Sequence, residues 1–428
     1  MGAANRYRRG RHGYPPRVGA IPRERTPDSS LALVREGYEF VTNRCRRHGT
    51  DTFATRLMLR PVVCMQGAEA ARFFTETPMT RRGAIPRPLL ALVQDVGSVA
   101  TLDGERHRCR KRMFLEMMTD AELARLERIS DAGWRLAGER WRRAERVILL
   151  PAVEELLCRV ACDWAGVPRV EPETSQRAAE LAAMVDGAGS IGPRNLRGHL
   201  RRRSSERWAA ATIRRIRAGR LPDGGAPAAA IARHRDADGR QLDEAVAAVE
   251  LLNLLRPMVA TARFVVFAAL ALHRDPGAAG LVRDGGEEQA TAFVHEVRRF
   301  YPFFPAIGGR TLAEAEWRGE ALPAGQWVLL DLYGTNRDPR TWHEPERFRP
   351  ARFLGWTGDP YTFVPQGAGD AAAGHRCPGE WATIALVRSA LRALTREIAY
   401  TVPEQDLRIP RSHIPPRPAS GFVIEPVG

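Results

Sequence analysis

The sequence predicts a single, mainly α-helical domain with minor β pieces. Three observations carry this reading. Apolar residues recur at helical spacing over most of the chain from Ala68 onward. A long apolar run extends from Asp243 to His273 and stops at Asp275-Pro276. No linker, low-complexity stretch or internal repeat divides the 428 residues, and their composition, 44% hydrophobic and 27% charged, suits one large core.

Taken in order, residues 1 to about 28 are rich in Arg, Pro and Gly and read as a disordered basic arm, with one domain over 29–428. SLALVREGYEFVTNR has helical periodicity. TRLMLRPVVCMQG alternates and is rich in β-branched residues, which predicts a pair of short strands. From AEAARFF helices dominate, broken by turns such as Asp103-Gly104. LLCRVACDWAG places Cys158 and Cys162 on one apolar helix face, where they read as small core residues. EEQATAFVHEVRRF is a further helix, ended by Tyr301-Pro302. Short strands fill about 305–333, and an irregular Pro/Phe/Arg-rich stretch covers about 337–366. The last major helix begins just after Cys377 and runs through TIALVRSALRALTREI.

Composition excludes several classes of function. The net charge of +15 comes almost entirely from arginine, with Lys111 the one lysine. These cations run through every segment. They do not gather on one helix with aromatic neighbours, and even the densest runs, Arg6, Arg8, Arg9 and Arg11, and then Arg201 to Arg203, read as solvated faces and not as a nucleic-acid site. Six cysteines form no paired framework of the secreted kind and no cluster with zinc spacing. MGAANRYRRG has no apolar signal core, and Arg6 stands where a myristoylation signal has Ser or Thr. The most apolar stretch, Met258 to Leu272, is short for a membrane span and contains Arg263. The expectation is a soluble, cytoplasmic protein with no membrane span and no nucleic-acid partner.

Three strings carry chemistry. Cys377, in GHRCPGEWATIAL, sits at the junction of a loop and a helix N-terminus, whose unpaired N–H groups and partial positive charge stabilise a thiolate. Pro378 suits the first helical turn, and Gly379 removes a side chain where a flat macrocycle could lie close to the backbone. Taken alone, the string also fits a buried cysteine capping a helix. Glu296 and Arg299 lie three apart on one helix face, and Arg352, in DPRTWHEPERFRPARF, could close a Glu–Arg–Arg network with them. Arg256-Pro257 interrupts the long apolar helix in LLNLLRPMVATARF. Proline there deletes a backbone hydrogen bond at about 3 kcal/mol, and a buried guanidinium requires a partner, for which a carboxylate is the planar match. An arginine facing solvent beside a simple kink is the alternative.

Glu296-x-x-Arg299, Pro350-Ala351-Arg352-Phe353 and Cys377-Pro378-Gly379 fall in the order and spacing of the cytochrome P450 superfamily, which this chain resembles. The resemblance implies the triangular, mostly helical P450 fold with small β-sheets and one buried haem b, its iron held by Cys377. A thiolate ligand favours O–O cleavage. By the same resemblance His107 and Lys111, four apart on one helix face, would hold haem propionates, with His375 a third such residue and Arg310 a fourth.

Two departures narrow the branch. Asp370 stands seven before the cysteine where most P450s have an aromatic residue, and the preceding phenylalanine, Phe363, lies fourteen before it, so this loop is lengthened. The long helix carries Asn253, Arg256 and Pro257 where monooxygenases have an acid–alcohol pair. Together these features are similar to the bacterial fatty-acid peroxygenase branch, as are LVREGYEF, GAEAARFF, GPRNLRG, LLDLYGTN and SGFVI. This resemblance implies hydrogen peroxide as oxidant, no obligatory redox partner, and a fatty acid or other carboxylic acid as substrate. Its carboxylate would be anchored by Arg256 and would serve as the acid–base group. Hydroxylation would then fall at the α or β carbon, with the alkyl tail in an apolar channel. Arg256 and Pro257 are the expected catalytic pair, and Ile191 and Phe303 the expected channel residues. Ala100, in GSVATLDG, occupies the distal position where hydroxylating relatives have Gln and a decarboxylating one has His. The alternatives are decarboxylation or hydroxylation of another carboxylic acid, a reductase-dependent monooxygenase, and a non-enzymatic haem sensor.

Overall fold

A computed structural model describes residues 20–86, 89, 91–92, 97–221 and 224–427. The first helices are α1 (Ser30–Glu36), α2 (Phe40–His48), α3 (Ala68–Glu76), α4 (Gly104–Glu116) and α5 (Asp120–Trp141). They are followed by α6 (Leu149–Ala165), α7 (Glu173–Gly187), α8 (Pro193–Arg217) and α9 (Pro227–Arg233). The central pair is α10 (Glu244–Ala260) and α11 (Ala262–Arg274). The last are α12 (Pro276–Asp284), α13 (Glu287–Phe300), α14 (Leu332–Thr335) and α15 (Glu380–Arg392). The mainly helical class expected from periodicity is the one found.

Strands β1 (Thr52–Leu57), β2 (Arg60–Gln66), β3 (Met79–Thr80), β5 (Ala306–Thr311) and β8 (Trp327–Asp331) form one sheet in the order β1-β2-β8-β5-β3. A second sheet joins β4 (Val147–Ile148), β10 (Val423–Pro426) and β9 (Tyr400–Thr401), and β6 (Ala315–Trp317) pairs with β7 (Glu320–Leu322). The predicted strand pair is β1 and β2, antiparallel from Thr52 opposite Met65 to Leu57 opposite Arg60. Their turn puts Met58 and Leu59 at positive φ, 50° and 61°, which is unfavourable for side chains of this size. The preceding segment holds it, because the Met58 and Leu59 N–H groups donate to Ser30 Oγ at 2.7 Å and Asp28 Oδ2 at 2.6 Å.

That contact corrects the arm boundary. Residues 1–19 lie outside the described residues. Residues 20–28 run along β1, with the Ala54 N–H on Pro22 O at 2.8 Å and the Glu24 N–H on Ala54 O at 2.9 Å. The single helix expected over SLALVREGYEFVTNR is broken at Gly37, where φ is 55° and a Cβ would lie 2.1 Å from Arg411 O. This close approach requires glycine.

The α10–α11 stretch is the axis of the core. It has the length and apolarity to cross a membrane, yet 94% of its apolar window is buried inside the fold. Helices α6, α7 and α8 pack on α10, and α15 packs on α5, α11 and α13. Between residues 247 and 272 side chains are buried except Val249 and Asn253, which are half-buried, and Pro257, which is exposed. Spaced by four, these three make one accessible stripe on an otherwise buried helix, as the lining of an internal cavity would. Cys158 and Cys162 are buried in the main core, as expected.

Candidate active site

Cys377 lies at the mouth of α15. Its backbone N–H donates to Gln366 O at 3.0 Å. A Cβ on Gly379 would sit 3.9 Å from the sulfur, an ordinary contact, so the glycine lies directly beside it. Burial pushes the Cys377 thiol up, and the Gly379 N–H and the charges of Lys111 and Arg298 oppose that rise. The lengthened loop caps itself. Asp370 Oδ1 accepts the N–H groups of Ala372 at 2.8 Å and Ala373 at 2.6 Å, and Gly374 N–H closes on Asp370 O at 3.0 Å.

Two cations clamp this loop. Lys111 Nζ donates to the carbonyls of Gly374 and Arg376, the latter at 2.5 Å. Arg298 is 1% exposed; it donates to Gln366 Oε1 at 3.1 Å and pairs with Glu380, which also binds Arg376 at 2.7 Å. The Glu-x-x-Arg spacing marks Arg299 and carries no signal for its neighbour Arg298. In EVRRF the two arginines point to opposite jobs: Arg298 to the cysteine loop, Arg299 to the Glu296 network.

A compact basic cluster lies beside the loop. The rings of His107 and His375 stack with centroids 3.9 Å apart. Burial, then Lys111, lowers His107 to about 4, and burial, then Arg81, His107 and Lys111, lowers His375 to about 2. Lys111 is lowered to about 8 and Arg81 to about 10, in each case mainly by burial. His107, Lys111 and His375 are thus brought together as expected. Arg310 is not. It lies on the opposite face of β5, half-buried, donating to Gly83 O at 3.1 Å and Gly325 O at 3.0 Å. Arg81 takes the place given to Arg310. Its guanidinium binds Gly308 O at 3.0 Å and fits where a Cβ on Gly309 would lie 3.2 Å from it.

On α10, Arg256 is 5% exposed, and its guanidinium donates to Asn253 Oδ1 at 2.8 Å. Asn253 Nδ2 donates to Glu250 Oε2 at 3.0 Å. Glu250, fully buried, also accepts the Val99 N–H at 2.8 Å and Arg110 at 3.0 Å. Arg110 in turn binds Asp236 at 2.6 Å. Ala100, half-buried, follows directly on the Val99 so held.

Of the two expected channel residues, Phe303 is half-buried and packs its ring on Phe264 with centroids 4.8 Å apart, and Tyr38 Oη donates to its carbonyl. Ile191 is a correction: it is 81% exposed, in the turn just before α8, and lines no interior channel.

The Glu296–Arg299–Arg352 network is present. Arg299 holds Glu296 through two hydrogen bonds, at 2.7 and 2.8 Å, and Arg352 approaches it at 3.2 Å. Among the described residues one cluster has metal-ligand chemistry: the donor atoms of Cys109, His234 and Asp236 lie within 4.8 Å of one another. Asp236 is already paired with Arg106 at 3.1 Å and Arg110 at 2.6 Å, and these cations oppose a dication there.

The donor set fits haem. A single soft thiol at a helix N-terminus suits an axial iron ligand. Burial lowers Arg81, His107, Lys111 and His375, and the neighbouring cations lower the two histidines further; two propionates among these groups would offset that cost.

Comparisons with known proteins agree. The family model for cytochrome P450 matches residues 289–389. A cytochrome P450, number 138, of Mycobacterium tuberculosis is 26% identical over 386 residues, covering 85% of this chain and 86% of its own length. Among solved structures, cytochrome P450SP alpha (CYP152B1) in complex with (R)-ibuprophen is 43% identical, with TM-score 0.91, 94% of this chain and 98% of that chain covered. Cytochrome P450EX alpha (CYP152N1) with myristic acid is 40% identical, with TM-score 0.91 and coverage of 95% and 98%. A variant of cytochrome P450 OleT with arachidonic acid is 30% identical, with TM-score 0.91 and coverage of 96% and 99%.

Proposed function

The chain belongs to the cytochrome P450 family, in its CYP152 fatty-acid peroxygenase branch, and from that premise we propose that it hydroxylates long-chain fatty acids at the α or β carbon with hydrogen peroxide. The observation that carries the proposal is Arg256, a buried guanidinium on the turn of α10 whose next residue, Pro257, is exposed between buried neighbours. A planar cation at that place suits a bidentate carboxylate better than any neutral substrate. Myristic and arachidonic acid, the fatty acids of two similar structures, fit that chemistry.

Haem, which Cys377 would hold, would supply the two-electron peroxide chemistry by which one oxygen enters a C–H bond and the other leaves as water. The chain's own groups do the rest. The Gly379 N–H, Lys111 and Arg298 favour the anionic sulfur. Arg81, His107, Lys111 and His375 would hold the propionates. Arg256 fixes the substrate carboxylate, and that carboxylate takes and returns the peroxide proton in a helix that has no acid–alcohol pair of its own. Tethering at the carboxyl end presents the nearest carbons for attack, which accounts for α or β regiochemistry. Peroxide brings both electrons and both protons, so no reductase is required.

The test is one reaction of haem-loaded protein, hydrogen peroxide and a C14 fatty acid, without reductase or NADPH, read by mass spectrometry. We expect 2- or 3-hydroxy acids from the native chain and none from Arg256→Ala, whose carbon monoxide spectrum should still report a thiolate. Unchanged turnover in Arg256→Ala refutes the anchor. A terminal alkene as main product would replace hydroxylation by decarboxylation.

A further inference from the structure

The residues Glu250, Asn253 and Arg256 lie three apart on α10, so each touches the next. A carboxylate can only accept hydrogen bonds, whereas a carboxamide has one accepting and one donating end. Glu250 meets the Val99 N–H, the Arg110 guanidinium and Asn253, and the first two are donors only. Asn253 must therefore turn its NH2 group to Glu250, which leaves its carbonyl for Arg256.

We infer that Glu250 and Asn253 are positioning residues for Arg256: the buried carboxylate sets the direction of the Asn253 amide, and that amide aims the guanidinium at the substrate carboxylate. This rests on the reading of Arg256 as the anchor. The neutral amide has a second consequence. Glu250's charge is matched by Arg110 at 3.0 Å, and Asn253 passes on its orientation without its charge. An aspartate at 253 would donate nothing to Glu250 and would form an internal ion pair with Arg256. The same carboxylate holds the Val99 N–H, so the segment bearing Ala100 and the anchor on α10 share one point of reference.

The experiment uses haem-loaded Asn253→Asp, Asn253→Leu, Glu250→Gln and Arg256→Ala, with the dissociation constants of tetradecanoic acid and tetradecanol read from the Soret shift. Steady-state kcat and KM with peroxide are measured alongside. Asn253→Asp should weaken the acid by about 10- to 150-fold, the loss of a charge-assisted contact, and leave the alcohol within about two-fold. Asn253→Leu and Glu250→Gln should raise KM for the acid about ten-fold at near-native kcat for the same class of contact. Equal weakening of acid and alcohol would mean a merely structural role and overturns the inference. So does native acid affinity in both Asn253 variants while Arg256→Ala loses it. Native affinity in Arg256→Ala would instead overturn the anchor itself. If Glu250→Gln does not fold, the two Asn253 variants decide the matter.

Discussion

Substituting Glu296→Gln tests how the cysteine loop is supported. Glu296 is fully buried and accepts two hydrogen bonds from Arg299 at 2.7 and 2.8 Å, one from the Arg349 N–H at 2.7 Å and one from Arg352 at 3.3 Å. Glutamine keeps one accepting oxygen, turns a donor toward an arginine, and leaves two guanidiniums with no countercharge. Breaking a buried pair from one side costs about 3–5 kcal/mol. For a chain of 428 residues the unfolding entropy is roughly 0.9 kcal/mol/K, so Tm should fall by about 3–6 °C. The effect should reach the haem, because Arg299 also holds Asn336 O at 3.0 Å, and Asn336 Oδ1 accepts the Val364 N–H at the start of the cysteine loop. The assay is loss of far-ultraviolet ellipticity and of Soret absorbance in one thermal scan at fixed rate, with Arg352→Gln alongside. Arg352 is half-buried at the network's edge, so its loss should shift Tm less. A Tm for Glu296→Gln within about 1 °C of native, or a larger loss from Arg352→Gln, refutes the reasoning.

Three other outcomes follow from the geometry. Arg81→Gln should raise the rate of haem transfer to apomyoglobin by about 10- to 150-fold, the worth of a charge-assisted contact, and Arg310→Gln should leave it within about three-fold; the reverse order would restore Arg310 to the site. Burial raises the Asp331 carboxyl from its ordinary 3.8 to about 7, so its contribution to stability is full below about pH 4 and lost as pH rises to about 7. Urea midpoints of Asp331→Asn should vary less over that window than those of the native chain, and an equal slope would exclude Asp331 as the cause. Ile191→Ala, at an exposed turn, should leave KM for a C14 acid unchanged and stability within about 0.5 kcal/mol; a several-fold rise in KM would return Ile191 to the channel.

The parts of the site that the sequence made legible are those bound by local chemistry. Cys377 was readable because a helix N-terminus, a proline and a glycine surround it in a few residues, and Glu296, Arg299 and Arg352 because helical spacing and an ordered motif mark them. Arg81 escaped because it reaches the cluster through a strand register. Thr80 pairs with Arg310 across β3 and β5, and on β5 a shift of one residue exchanges faces. Nothing local says that Arg310 turns toward Gly83 and Gly325. The Arg110–Glu250 pair spans 140 positions, and no periodicity reports it. Ile191 was placed by alignment alone, with no apolar periodicity around Ser190-Ile191-Gly192 to support burial. The arm boundary failed for a related reason: composition marks low apolar content, while Pro22 and Glu24 join β1 through backbone groups that every residue carries.

Lys111 is the chain's one lysine, and it is 1% exposed, folded against the cysteine loop. The described surface therefore carries its positive charge as guanidinium alone. Aldehydes released when lipids are oxidised condense with free primary amines, and a protonated guanidinium is a far weaker nucleophile toward them. The described surface thus offers such aldehydes no side-chain amine. Amine-directed linkers would find no lysine to fix it by, and arginine-directed dicarbonyl reagents would be the practical means of attaching it to a support.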